Sequence, residues 1–127
     1  MGAPEVTKTF CTAALAVLAA GAVQAAPKAE SALECGIAAD MALVAHSLAK
    51  EDIQRPKADS IMARIYDVGE SQRGKEMMKQ IVDAAYVVGA SAAQGGRAQS
   101  GQKFAEELYA TCMKSGGNMD PVLGKQS

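Results

Sequence analysis

Residues 31–50, Ser-Ala-Leu-Glu-Cys-Gly-Ile-Ala-Ala-Asp-Met-Ala-Leu-Val-Ala-His-Ser-Leu-Ala-Lys, decide how this chain is read. Ser31 followed three positions later by Glu34 has the form of a capping box. There, a hydroxyl and a carboxylate satisfy the unpaired N–H groups at a helix start. The spacing predicts a helix over 32–50. Leu33, Ile37, Met41, Val44 and Leu48 recur at helical intervals and form one apolar stripe. Cys35, Ala39, Ala42 and His46 form a second stripe, of mostly small side chains, on the other face. A helix apolar on two sides belongs in the middle of a bundle, packed against more than one neighbour.

Downstream, three more helices are expected. Pro56 suits a first helical turn, where a missing N–H costs nothing. Ile61, Met62, Ile65 and Val68 make that second helix's apolar face, and Gly69 is expected to end it. Ser71 is a cap for the third, whose pattern runs through Met77, Met78, Ile81, Val82, Ala85 and Val88. Gly89 permits a close approach, and Gln94-Gly95-Gly96-Arg97 reads as a loop. Ser100 caps the fourth, with Phe104, Leu108 and Cys112 on one stripe, and Ser115-Gly116-Gly117 stops it. Residues 118–127 read as a tail in which Val122 and Leu123 can dock.

Upstream, Lys8 precedes an apolar run from Phe10 to Val23, and Val23-Gln24-Ala25 places small residues where a signal peptidase reads. The run is about 14 residues, short of the roughly 18 to 20 that span a bilayer. Residues 1–25 are therefore expected to be a signal peptide cut before Ala26, with 26–117 the helical domain. The product is expected to be periplasmic or secreted, with no stable membrane anchor.

That compartment gives the cysteines their meaning. Cys11 departs with the leader, and Cys35 and Cys112 remain as an even pair in an oxidising environment. Cys35 lies near the start of the first helix and Cys112 near the end of the last. They meet only if those helices run antiparallel. The fold class expected is thus all-α, a small four-helix up-down-up-down bundle whose first and last helices are joined by a Cys35–Cys112 disulfide.

Composition supports helix and narrows function. Of 127 residues, 49% are hydrophobic, 21% are charged and only 4% are aromatic, with no Trp. Alanine and methionine must fill much of the core. The net charge is −1, with no basic stripe for nucleic acid. His46 is the only histidine. It stands about 16 Å along the helix from Cys35, too far to activate a thiol. Asp40, Asp59, Asp67, Asp83, Glu106 and Glu107 offer carboxylates, but none in the Glu-x-x-His pattern of di-iron bundles. Met41, Met62, Met77, Met78, Met113 and Met119 raise a copper or haem alternative, yet no Cys-x-x-Cys-His or Met-x-x-Met run gathers ligands.

The run Glu34-Cys35-Gly36-Ile37-Ala38, with Phe104 through Leu108-Tyr109 to Cys112, resembles a group of small exported helical proteins of Gram-negative bacteria. These carry one cysteine in the first mature helix and one in the last. The group includes the periplasmic acid-stress chaperone and the immunity proteins of type VI secretion amidases. The resemblance implies a bundle that works by binding. It transfers no functional residue, and the Trp-rich cysteine surroundings of the chaperone are missing. The expectation is a non-enzymatic binding protein with a protein partner in the cell envelope and no cofactor, the alternative being a metal- or haem-binding bundle.

Overall fold

The computed structural model describes residues 27–93 and 100–124. The expected leader and the expected loop at Gln94–Arg97 lie outside those residues. The chain is an all-α bundle. Its helices are α1 (Ala32–Lys50), α2 (Arg55–Ile65), α3 (Gln72–Ala93), α4 (Gly101–Lys114) and a short α5 (Asp120–Leu123). A Cys35–Cys112 disulfide, with Cα atoms 5.7 Å apart, joins α1 to α4.

Local chemistry sets the helix starts. Ser31 Oγ accepts from the Glu34 N–H at 3.2 Å. Glu34 returns a bond to the N–H of Glu30 at 2.8 Å, one residue upstream of the reciprocal partner a capping box would use. Ser71 Oγ accepts from Gly74 N–H, and Ser100 Oγ from Lys103 N–H. Gly116 and Gly117 end α4 with positive φ values of 62° and 94°.

Helix directions follow from contacts at both ends of α1. Cys112, late in α4, bonds Cys35, while Gly101, which opens α4, lies against the His46 imidazole. These two helices are antiparallel. Arg73, early in α3, pairs with Glu34, and Gly89, late in α3, abuts Ala49. Those two are parallel. In a square bundle such a pair would sit on the diagonal, yet α1 packs mainly against α3 and α4.

Small side chains make that approach possible. The buried face of α1 is Cys35, Ala38, Met41, Ala42, Ala45, His46 and Ala49. At the crossing, a Cβ added to Gly89 would lie 2.6 Å from the Ala49 Cβ and 3.1 Å from the His46 carbonyl oxygen. By length and composition α1 could cross a membrane; here it is the hub of the bundle.

The expectation that both stripes of α1 are covered holds for only one. The small-residue stripe is covered, with Cys35, Ala42 and His46 buried and Ala39 partly so. The larger one is buried at Met41 and half-buried at Val44 and Leu48, but Ile37 is 39% exposed and Leu33 73%. The cause is helix length. α2 runs back along the C-terminal half of α1 and stops after 11 residues, roughly 16 Å, whereas α1 has 19 residues, roughly 28 Å.

α2 also ends earlier than Gly69 would suggest. Tyr66 leaves helical geometry at φ −113°, ψ 104°, and donates its hydroxyl to Asp40 on α1. Gly69, at φ +57°, serves the connection to α3 instead. Of the expected α2 face only Met62 is fully buried, with Ala58 beside it; Ile65 is 53% exposed. At the start of α2, Arg55 pairs with Asp83 of α3 at 2.9 Å and stacks over the Tyr86 ring.

Phe104, Leu108 and Cys112 of α4 are fully buried as expected. The stretch after Asn118, expected as a tail, folds back as α5. Val122 and Leu123 dock into the core with Met119.

Candidate functional site

The uncovered end of the α1 stripe opens into a cleft of about 380 Å³. One wall is Glu34, Ile37 and Met41 of α1. The other is formed by Ile65 through Val68, Ser71, Arg73, Gly74 and Met77. Val68 leans on α3, where Gly74 leaves room for it; a Cβ there would come within 3.1 Å of the Val68 Cβ. With the connection drawn to the α3 side, the α1 side stays open. The volume falls within the roughly 300–1,000 Å³ of ordinary ligand sites, and the floor is aliphatic and thioether, as such sites usually are.

The rim is polar and braced. Arg73 bonds both Glu34 oxygens, at 3.1 and 2.5 Å, lies 3.7 Å from Glu30, and donates to the Lys28 carbonyl. This guanidinium therefore ties the chain before α1 to the start of α3. Across the cleft, burial and then the Asp40 carboxylate hold the Tyr66 hydroxyl well above its ordinary range, keeping it a donor. Asp67 accepts from the Gly69 N–H at 3.0 Å.

The Arg73 guanidinium, helped by the Glu30 N–H, holds the Glu34 carboxyl below its ordinary value of 4.5. A folded-state value below the unfolded one stabilises the fold fully above about pH 4.5. That stabilisation is lost as pH falls through the depressed value. A Glu34→Gln protein is accordingly expected to be about 1 kcal/mol less stable than wild type at neutral pH. Urea titrations at decreasing pH should show the gap closing below about pH 4.5. A gap independent of pH would dissociate Glu34 ionisation from the clamp.

The residues singled out from sequence are dispersed. His46 is buried at the far end of α1 from the disulfide, beside Gly101. Both α1 and α4 cysteines are bonded, so neither is a thiol. Asp59 and Asp83 share Arg55, Asp40 holds Tyr66, and Glu106 accepts from Gln102. Met62 and Met119 are fully buried, while Met41 and Met77 floor the cleft. Among the described residues no group of three or more His, Cys, Asp or Glu side chains is placed to hold a metal ion.

Arg73 and Tyr66 carry the cleft's polar rim, and sequence reasoning passed over both. One signal was available for Arg73. A cation in the first turn of a helix opposes the macrodipole, so it needs a tertiary carboxylate. Tyr66 carried no comparable signal, because its partner lies 26 positions away. Comparison with protein-family models, curated proteins and solved structures returns no match.

Proposed function

We propose that this chain is the precursor of a small exported protein, periplasmic or secreted after cleavage near Ala25. It acts by binding a protein partner in the cell envelope and carries out no catalysis. The α1/α2–α3 cleft is its binding surface. The observation that carries this reading is an open cleft with the apolar side chains of Ile37, Met41, Ile65 and Met77 in its lining, on a bundle stapled by a disulfide. A framework held by a cross-link and an ion-pair clamp loses little further entropy on binding, which favours affinity.

Export and binding are tested separately. Intact mass of the secreted product should start at Ala26 and gain two hydrogens on reduction. Retention of residues 1–25 inside the cell would remove the compartment. For binding, tagged wild type should recover a stoichiometric envelope protein, and Ile37→Asp should lose it while keeping the helical circular-dichroism spectrum and cooperative unfolding of wild type. Equal recovery by both proteins would exclude the cleft.

A further inference from the structure

We infer that the cleft receives an amphipathic helix of a partner protein, one that carries Lys or Arg beside its aliphatic face. The inference rests on the binding reading above and specifies the ligand.

The bundle itself shows what fits this groove. Further along the same face, α2 seats Ala58 and Met62 against the core. Ile65, one turn beyond, marks where that helix gives out. Past it, Ile37 of α1 lines the open part of the cleft, and Leu33, four positions earlier on the same helix and outside the lining, is 73% exposed. Such a ridge matches partner side chains presented at i, i+3 and i+4, the usual grammar of a helix laid in a groove.

Charge selects among helices. The Arg73 cation is already engaged by Glu34 and Glu30. Asp40 and Asp67 are not so matched. Both are exposed and anchored by neutral donors, Tyr66 O–H and Gly69 N–H. Among the described residues neither lies in an ion pair. Asp67 in the cleft lining, and Asp40 of α1, which accepts from the hydroxyl of the lining residue Tyr66, are therefore oriented carboxylates with no cation of their own among the described residues. A basic flank on the incoming helix would complement them, and an acidic one would be repelled.

The test titrates the purified, oxidised protein with a short Leu/Lys amphipathic peptide and with its Leu/Glu counterpart, read by calorimetry. The Leu/Lys peptide should bind at least about tenfold more tightly, and added salt should erode the difference. Asp40→Asn combined with Asp67→Asn keeps both hydrogen-bond acceptors and should bring the two peptides within about twofold. Ile37→Asp should abolish binding of both. Equal binding of the peptides to wild type would overturn the charge inference while leaving the cleft as a binding surface. Binding of neither would overturn both. A wild-type dimer that Ile37→Asp dissociates would assign the cleft to a second copy and overturn the inference.

Discussion

Replacing Cys35 and Cys112 together with alanine is expected to lower the unfolding free energy by about 3–5 kcal/mol, measured by urea denaturation of the oxidised wild type beside the double variant. The bond closes a loop with a sequence separation of 77. Loop-closure entropy alone gives about 4.5 kcal/mol for a loop of that length. Truncating two sulfurs at sites 3% and 0% exposed adds a small cavity term. For a domain whose whole stability is typically about 5–15 kcal/mol, this loss leaves the bundle marginal. The position of the bond compounds the effect. It fixes the start of α1, the hub, to the end of α4, beside the Ala29 N–H bond to the Gly117 carbonyl. Reduction should therefore loosen the chain before α1 together with the Arg73 clamp at the cleft. A change below about 1 kcal/mol would mean that the reduced denatured chain already holds these ends together.

The second large effect comes from two glycines on neighbouring helices, with opposite signs. Gly89→Ala should destabilise by about 1–2 kcal/mol and Gly89→Val by about 3, because the new Cβ would meet the Ala49 Cβ at 2.6 Å. These are losses net of the roughly 0.5–1 kcal/mol that alanine gains over glycine within a helix. Gly36→Ala in α1 supplies the contrast. Nothing lies within 4 Å of the Cβ built there, so the propensity gain should appear undiminished, as about 0.5–1 kcal/mol of added stability. Adding Ala49→Gly to Gly89→Ala removes the atom that is struck and should recover part of the loss, giving a non-additive double-mutant cycle. If Gly89→Ala and Gly36→Ala shift the urea midpoint equally and in the same direction, the close crossing of α1 and α3 is wrong.

The crossing also explains the cleft. Because small residues bring α1 against α3, the larger side chains of α1 face the α2 side, where an 11-residue helix covers only part of them. The binding surface proposed above is the remainder of that mismatch. Changing the polarity of its lining by Ile37→Asp, or the charge beside it at Asp40 and Asp67, should alter binding more than the bundle, since all three residues are exposed.

Local rules sufficed where a residue's partner is close in sequence. Ser31, Ser71 and Ser100 cap the three helices expected of them, and α1 has the bounds its periodicity predicts. One long-range feature was also legible, the antiparallel pairing of α1 and α4. Cys35 and Cys112 stand near opposite ends of the helical segment, and a bond between them requires that pairing. What sequence could not settle is which side of α1 faces inward. Hydrophobicity ranks Leu33 and Ile37 above Ala38, Ala42, Ala45 and Ala49, yet the alanines are buried and the larger residues stay in part exposed. Burial there is decided by how near two backbones can come. That distance depends on the absence of a side chain at Gly89, some forty positions away on another helix. The cleft has the same origin, built from Tyr66 reaching Asp40 and Arg73 reaching Glu34. Such pairs exist only once the helices are packed, so tertiary structure alone assembles them.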